Sequence, residues 1–142
     1  MASFKEGVSS KGRNLHYAVG AIIKNKEKYL LIDRSFFPKG FACISGHVED
    51  GESDEDALFR EVEEESGFIV NDFNLIGEGE LIDNLCNKKA KDHYWKVYSC
   101  KVSGNLKKNG ESKSIGWYSK EEIKNLNLEP SWGYWLKKLG II

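Results

Sequence analysis

The order of the predicted elements indicates an α+β fold, an α/β/α sandwich with a mixed β-sheet. Apolar, β-branched runs come first along the chain, one amphipathic helix follows them, and further strands and two helices complete the 142 residues. This length suits a single domain, residues 1–142, and a chain of this size can bury about 68–70% of its unfolded surface. The chain is therefore long enough to build a core on both faces of a sheet.

The N-terminal part begins with two strands joined by a short polar turn. Both runs, His16–Lys24 and Lys28–Arg34, are rich in apolar and β-branched residues. A proline, which cannot donate to a strand ladder, makes Ser35–Gly40 a predicted loop. A short strand, Phe41–Ser45, then leads into the turn-rich segment Gly46–Gly51.

The first helix is predicted over Asp54–Ser66. Ser53 can cap its N-terminus, and Gly67 can end it in the left-handed conformation common at helix C-termini. Within the helix, Leu58 and Val62 are four residues apart and form a narrow apolar stripe. We expect this stripe to face the core.

Two long strands and two helices are predicted in the C-terminal half. The strands are Phe68–Leu81 and Asp92–Val102, and the polar segment Ile82–Lys91 joins them. A Lys/Gly/Asn-rich loop precedes a short strand, Ile115–Tyr118, and a helix is expected near Lys120–Leu126. After Pro130, four apolar residues recur at the spacing of an amphipathic helix that packs on the core: Trp132, Trp135, Leu136 and Leu139.

Composition excludes several classes of protein. Hydrophobic residues make up 40% of the chain and only 2 residues are proline, which argues against a disordered or fibrous protein. No apolar run approaches the roughly 18 residues that a membrane helix needs. The first residues lack the apolar segment of a secretory signal, so we expect a cytoplasmic protein.

The cysteines and histidines show no metal-binding spacing. The cysteines form no CxxC pair, and we expect them to be reduced thiols. The histidines are far apart along the chain and form neither HxH nor HExxH, so a structural zinc site is not expected. The residues concerned are Cys43, Cys86, Cys100, His16, His47 and His93.

The net charge of −1 hides an uneven distribution of charge. Residues 49–65 hold ten carboxylates and one base, Arg60, whereas the rest of the chain holds 12 acids and 20 bases. The plainest interpretation of such an acidic segment is a solvated helix face. An EF-hand calcium loop is rejected, because Glu55 stands where the sharp turn requires glycine and a strand precedes the segment.

A catalytic site for a divalent cation is the remaining interpretation. Glu61, Glu64 and Glu65 share one face of the predicted helix, and carboxylate oxygens are the ligands that Mg²⁺ prefers. Leu58 and Val62 would hold another face in the core. Arg60 could clamp a carboxylate with two hydrogen bonds and orient the loop against the helix.

Residues Gly46–Phe68 read GHVEDGESDEDALFREVEEESGF. Five residues separate Gly46 from Glu52, and seven more separate Glu52 from the run REVEEESGF. This pattern reproduces the Nudix box throughout, and the chain resembles the Nudix hydrolase family, in particular its MutT-like members. Phe41 and the segment Trp117–Ile123 resemble the flanks of many Nudix domains more loosely.

The resemblance implies a Nudix-type α/β/α sandwich that hydrolyses a nucleoside diphosphate linked to another moiety. Carried over to this sequence, the carbonyl of Gly46 and the carboxylates of Glu61, Glu64 and Glu65 would bind Mg²⁺, with Mn²⁺ as the alternative ion. A cation there would neutralise the charge of the diphosphate. We choose Glu64 as the general base that accepts a proton from the attacking water.

Other residues receive roles from the same resemblance. Glu52 and Arg60 would be the salt-bridged pair that shapes the box, and we group both with Glu64 as catalytic candidates. Some relatives take the base from a loop outside the box, where Glu111 is the best candidate in this chain. His47 falls at a variable position of the box; we expect a surface imidazole, with a role in the loop as the alternative.

Substrate recognition is predicted from residues around the box. The loop before it holds cations and rings that could contact a phosphate and a base, namely Arg34, Phe36, Phe37 and Lys39. Tyr94 and Trp95 lie on a strand, and either could stack on a purine. Of these, Arg34, Phe37 and Trp95 form our predicted substrate-binding set with Glu111, and the basic charge outside the box could steer a polyphosphate toward it.

We therefore predict a metal-dependent hydrolase that cleaves a phosphoanhydride bond in a nucleoside triphosphate, a nucleotide sugar or a similar molecule. Two alternatives stay open: a non-catalytic nucleotide-binding sensor of the same fold, and a prenyl diphosphate isomerase, for which Cys43 is the candidate cysteine. The expected partner is a small nucleotide substrate, with no membrane and, in the absence of an Arg-rich tail, no nucleic acid. A homodimer is left open.

Overall fold

The computed structural model describes residues 3–84, 86 and 90–142. Part of the predicted loop Ile82–Lys91 lies outside these residues. The described chain combines eight strands and three helices, which confirms the α+β class with a mixed sheet. In chain order the elements are β1 Glu6–Val8, β2 Asn14–Asn25, β3 Lys28–Arg34, β4 Gly40–Ala42, β5 Ile44–His47, α1 Asp54–Ser66, β6 Ile69–Leu81, β7 Asp92–Ser103, β8 Ser112–Ser119, α2 Lys120–Lys124 and α3 Pro130–Lys138.

The sheet is organised around β2, the longest apolar run in the sequence. Its main path is β4-β3-β2-β7-β6; β1 and β5 also pair with β2, and β8 pairs with β3. The β2–β7 pair is parallel and the others are antiparallel. Because β2 is hydrogen-bonded along both edges, its residues are buried on both faces, as its apolar sequence requires.

Three strands differ from the sequence prediction. The predicted strand Phe41–Ser45 is interrupted at Cys43, because β4 pairs with β3 whereas β5 pairs with β2. Strand β8 begins at Ser112, three residues earlier than predicted, because its polar start pairs with Arg34. Strand β1 was not predicted, since three residues carry no readable alternation.

The predicted bounds and caps of α1 are confirmed. The Ser53 hydroxyl accepts a hydrogen bond from the Asp56 N–H at 3.1 Å, and Gly67 ends the helix with a φ of 79°. Leu58 and Val62 are fully buried, as the stripe predicted. The face that carries Glu61, Glu64 and Glu65 is consequently held in one orientation.

Two hydrophobic clusters lie on opposite faces of the sheet. Alternate residues of β2 serve each one: Val19, Ala21 and Ile23 join the cluster under α1, whereas Ala18 and Ile22 join the cluster under α2 and α3. In the second cluster Trp132, Trp135 and Leu136 are buried and Leu139 is partly buried, which confirms the predicted closing helix. The result is the predicted α/β/α sandwich.

The cysteines and the lengths of the helices can also be compared with the sequence. All three cysteines are buried and unpaired with one another, as expected of reduced thiols. None of the helices in the described ranges is long and apolar enough to cross a membrane.

Candidate active site

Gly46 brings the end of β5 into direct contact with α1. A Cβ atom at this position would lie 2.1 Å from the carboxyl carbon of Glu61, so no other residue could stand there without moving that carboxylate. The contact follows from the pairing of β5 with β2, in which Gly46 lies opposite Val19. It places the backbone of β5 beside the glutamates of the helix.

Arg60 ties the loop between β5 and α1 to the helix. Its Nε and Nη2 donate to the two carboxylate oxygens of Glu52 at 2.7 and 2.9 Å, and Nη2 also donates to the His47 carbonyl at 3.0 Å. Its Nη1 donates to Glu61 at 2.6 Å and lies 3.5 Å from Glu64. This fork is the geometry expected of a bidentate arginine, and it raises the pKa of Arg60 while lowering the pKa of Glu52.

The surroundings of Glu61 and Glu65 raise the pKa values of both carboxyl groups. Burial raises the pKa of Glu61 to about 7, against the opposing attraction of Arg60, and the neighbouring Glu64 raises it further. Burial also raises the pKa of Glu65 well above its usual range, and Glu61 and Glu111 add to that rise. Two buried acids side by side need either protons or a cation to compensate their charge.

The chemistry of this oxygen cluster fits a hard divalent cation. Oε2 of Glu65 is buried and has no hydrogen-bond partner among the described residues. Glu61 and Glu65 face the same space as the backbone of Gly46, and the side chain of Glu64 is 58% exposed beside them. A set of carboxylate and carbonyl oxygens is what Mg²⁺ or Mn²⁺ requires, and an orphaned carboxylate oxygen is a position that such an ion would satisfy.

These residues line one end of a cavity of about 520 Å³. The structure brings most of the predicted site residues to it, and the lining includes Gly46, Glu61, Glu64, Glu65, Arg34, Trp95 and Glu111. Glu52 and Arg60 are not in the described lining and lie behind the loop. Phe37 is not in the described lining, which contains its neighbours Phe36 and Pro38, and its role in substrate binding stays a prediction.

Two polar contacts fix the groups around the carboxylates. Arg34 donates from Nε to the Pro38 carbonyl at 2.6 Å, so its guanidinium is anchored at the cavity. Asn109 donates to the Glu64 carbonyl at 3.2 Å and accepts from the Glu111 N–H at 3.0 Å. Asn109, which the sequence analysis missed, therefore attaches the loop that carries Glu111 to the end of α1.

The opposite wall of the cavity is a polar network that the sequence did not indicate. Trp95 Nε1 donates to the Asn84 side-chain oxygen at 3.3 Å, and the Asn84 amide donates to Ser131 Oγ at 2.7 Å. Ser131 in turn donates from both its N–H and its hydroxyl to Glu129 at 3.1 Å. In the sequence, Glu129 and Ser131 flank Pro130, a pattern typical of an ordinary helix N-terminus, so it did not indicate a site.

The structure brings the three histidines together, which their positions along the chain did not indicate. His16, His47 and His93 lie close to one another and to Cys86, because strand pairing brings distant parts of the chain side by side, and His47, His93 and Cys86 line the cavity. His47 is half-buried rather than a surface imidazole. Burial lowers the pKa of His93 to about 4, and the nearby His16 lowers it further.

Comparisons with known proteins agree with the box and the fold. A family model for the NUDIX domain matches residues 14–139. The chain is 47% identical to an ADP-ribose pyrophosphatase of Methanocaldococcus jannaschii over 62 residues, which is 42% of this chain and 37% of that protein. It is 29% identical to the nucleoside triphosphatase NudI of Enterobacter sp. (strain 638) over 119 residues, 75% of this chain and 84% of that one.

A crystal structure of a MutT NUDIX hydrolase from Burkholderia pseudomallei superimposes with a TM-score of 0.76 at 23% identity, covering 87% of this chain and 96% of that one. At this identity the likeness shows the fold. The chain spans little more than a third of the length of the archaeal relative. The family match extends over most of the 142 residues, and the chain therefore belongs to the Nudix hydrolase family.

Proposed function

We propose that the protein is a divalent-metal-dependent hydrolase that cleaves a phosphoanhydride bond in a small nucleotide. One observation carries the proposal. The carboxylates of Glu61, Glu64 and Glu65 meet the backbone of Gly46 at one end of a cavity of about 520 Å³, where an oxygen of Glu65 is buried without a partner. Nudix proteins generally use a divalent metal, and this oxygen cluster is suited to Mg²⁺, with Mn²⁺ as the alternative.

Gly46, Glu61, Glu64 and Glu65 would hold that ion. When bound, a hard cation supplies positive charge that offsets the negative charge developing on the phosphate oxygens. Arg60 keeps Glu61 in place through its 2.6 Å hydrogen bond, while its bidentate pair with Glu52 fixes the loop that leads to the helix. Glu52 and Arg60 are thus positioning residues rather than groups that touch the substrate.

Glu64 is suited to accept the proton of the attacking water. It is the most exposed of the three glutamates, with a side chain 58% exposed, and only one contact at 3.5 Å joins it to Arg60. Glu61 is held more tightly, since its side chain is 14% exposed and its carboxylate receives a 2.6 Å hydrogen bond. A base must reach the water from which it takes a proton, which favours the freer carboxylate.

The remaining lining suits a nucleotide. Arg34 brings a guanidinium to the carboxylate end, where it can contact a phosphate. Trp95 lines the cavity but is only 6% exposed and packs against Trp132, which leaves little of its ring for stacking on a base. The names of the relatives give two substrate classes to test first, ADP-ribose and nucleoside triphosphates. We also propose that residues 1–142 form a single domain and that the protein acts in the cytoplasm.

The test is a phosphate-release screen with Mg²⁺ over nucleoside triphosphates, nucleotide sugars, ADP-ribose and dinucleoside polyphosphates. Glu64→Gln should lower kcat by at least about 10²-fold on whichever substrate is turned over. Glu63→Gln is the matched control, because Glu63 is the preceding residue of the same helix and is exposed to solvent. Equal activity of both variants would overturn the assignment, and a larger loss in Glu111→Gln would move the base to Glu111.

The two alternatives make different predictions in the same screen. A sensor would bind a nucleotide in calorimetry yet release no phosphate from any substrate. The isomerase alternative relied on Cys43, which is fully buried in the hydrophobic cluster under α2 and α3 and is absent from the described lining of the cavity. Its burial also raises the pKa of the thiol, which weighs against a reactive cysteine there.

A further inference from the structure

A second group of potential metal ligands lies beside the carboxylates, and three of its four members line the same cavity. His16 is on β2, His47 is the last residue of β5, His93 is on β7, and Cys86 is in the connection between β6 and β7. One ligand atom from each side chain lies within 4.8 Å of all the others. The group therefore offers three imidazole nitrogens and one sulfur around a common point.

The strand register explains why the three imidazoles meet. His93 lies opposite His16 in the parallel β2–β7 pair, and His47 lies opposite Ala18 in the antiparallel β2–β5 pair. Alternate residues of a strand share a face, so His16 and Ala18, together with their partners, project to the same side. The ring centroids are 5.1 Å apart for His16–His47, 5.5 Å for His47–His93 and 6.0 Å for His16–His93.

Three of the four side chains are buried, and one imidazole nitrogen has no hydrogen-bond partner among the described residues. His16, His93 and Cys86 are 4%, 2% and 7% exposed. Nδ1 of His93 is buried and makes no hydrogen bond within the described ranges. Burying a polar nitrogen without a partner is unfavourable, and a ligand that accepts its lone pair would remove that cost.

A carboxylate outside the cluster orients one of the imidazoles. Nε2 of His16 lies 3.3 Å from Oε2 of Glu6, which also accepts a 2.9 Å hydrogen bond from Asn14. The other ring nitrogen, Nδ1, faces Cys86 Sγ at 3.9 Å. Histidines that bind metals commonly use one nitrogen for the ion and give the other to a carboxylate, and His16 is arranged in this way.

We propose that His16, His47, Cys86 and His93 form a binding site for one Zn²⁺ ion, distinct from the oxygen site on α1. Three nitrogens and a thiolate are a tetrahedral zinc ligand set, whereas Mg²⁺ prefers oxygen. In a tetrahedral site with zinc–ligand distances of 2.0–2.3 Å the ligand atoms would be about 3.3–3.6 Å apart, so no pair needs to close by more than about 1.5 Å on binding. Binding releases the thiol proton of Cys86 to solvent.

A zinc ion here would act on the neighbouring oxygen site through the chain. His47 directly follows Gly46, and the ion would join β2, β5, β7 and the β6–β7 connection at one point. Asn84 of the polar wall lies two residues before Cys86 in that connection. Zinc would therefore fix the end of β5 and the polar wall together, whether or not the protein hydrolyses a nucleotide.

The test uses reduced, metal-free protein in the presence of excess Mg²⁺. Co²⁺, a spectroscopic substitute for Zn²⁺, should give a thiolate-to-cobalt absorption band that added Zn²⁺ removes. Cys86→Ser should abolish the band and weaken Zn²⁺ binding by at least about 100-fold, more than the 10–100-fold typical of losing an outer partner. Cys100→Ser, which replaces a buried thiol in the hydrophobic cluster under α1, is the matched control and should bind like the wild type.

Two further variants separate this site from the carboxylates. Glu6→Gln should keep the absorption band but weaken Zn²⁺ binding by about 10–100-fold. The double variant Glu61→Gln, Glu65→Gln should keep both the band and the zinc affinity. The proposal is overturned if the wild type shows no thiolate band, if Cys86→Ser binds Zn²⁺ as tightly as Cys100→Ser, or if only the double variant loses zinc.

Discussion

The cavity is lined by two polar regions, and their buried polar groups are compensated in different ways. At the carboxylate end, Glu61 and Glu65 carry like charges, and Arg60 compensates part of that charge through a fork of hydrogen bonds. At the histidine–cysteine end, His16 lies between the carboxylate of Glu6 and the thiol of Cys86. Buried charge needs a cation nearby, whereas a neutral imidazole needs only a partner for its lone pair.

The difference also lies in how each region is built. The carboxylates occupy three positions of one helix, so local geometry alone brings them together. The histidines and the cysteine come from three strands and a connecting segment, and only the sheet register makes them neighbours. The carboxylate end should therefore respond to changes at the helix and its arginine, and the other end should not.

Arg60→Ala should have the largest effect on the carboxylate end. It removes the cation from Glu52 and Glu61 while both stay partly buried, and breaking such a pair costs about 3 kcal/mol of unfolding free energy. Urea unfolding of the metal-free protein measures the change. Arg60→Lys keeps the positive charge but loses the bidentate hydrogen bonds, so its stability should lie between those of the wild type and Arg60→Ala. If Arg60→Lys is no more stable than Arg60→Ala, then the hydrogen-bond geometry, rather than the charge, stabilises this end.

Gly46→Ala tests the contact between β5 and α1. The added Cβ would overlap the tip of the Glu61 side chain rather than backbone, so we expect the carboxylate to shift, with a loss of about 1 kcal/mol or less in stability and clearly weaker Mg²⁺ binding in calorimetry. Gly110→Ala is the control, because nothing lies within 4 Å of a Cβ at that position. Equal Mg²⁺ affinity of the two variants would contradict the close packing at Gly46.

The raised pKa of Glu61 predicts a pH-dependent stability. The pKa rises from an ordinary value of 4.5 to about 7 on folding, so the folded state binds this proton more tightly than the unfolded chain. The stabilising contribution is present below about pH 4.5 and is lost as the pH rises through 7. Relative to Glu61→Gln, the Tm of the metal-free wild type should fall by about 2–5 °C between pH 5 and pH 8.

Mg²⁺ should reverse this fall at pH 8, since the cation takes the place of the proton, and should have less effect at pH 5. Thermal unfolding of both proteins with and without Mg²⁺ gives the comparison. Parallel Tm curves for wild type and Glu61→Gln would contradict the perturbed pKa. The histidine–cysteine end should not contribute to the difference, because both proteins share it.

Asn109→Ala should produce the smallest effect. It removes the hydrogen bonds that join the Glu111 loop to the end of α1, and we expect a loss of about 1 kcal/mol or less because these contacts are exposed. Differential scanning calorimetry should detect the change. If Glu111 contributes to hydrolysis, kcat falls in Asn109→Ala as well; an unchanged kcat would separate Glu111 from the reaction.

Some elements of the fold could be predicted from the sequence, whereas others could not. The helix α1, its caps and its buried stripe could be predicted because each depends on residues within one or two turns. The division of Phe41–Ser45 into two strands could not, since it arises from pairing with two different partners, β3 and β2. The same reason explains why His47 is half-buried rather than a surface residue, since distant segments set its surroundings.

The sequence by itself determined the fold class, the Nudix box and the face of α1 that carries its carboxylates, because these follow from local spacing and from hydrophobic periodicity. Only the tertiary structure decided how buried each carboxylate is, which residues line the cavity, and that Asn84, Glu129 and Ser131 form its polar wall. It also decided that three scattered histidines and Cys86 meet. Such groupings depend on strand register, and register is a property of the whole sheet rather than of any one segment.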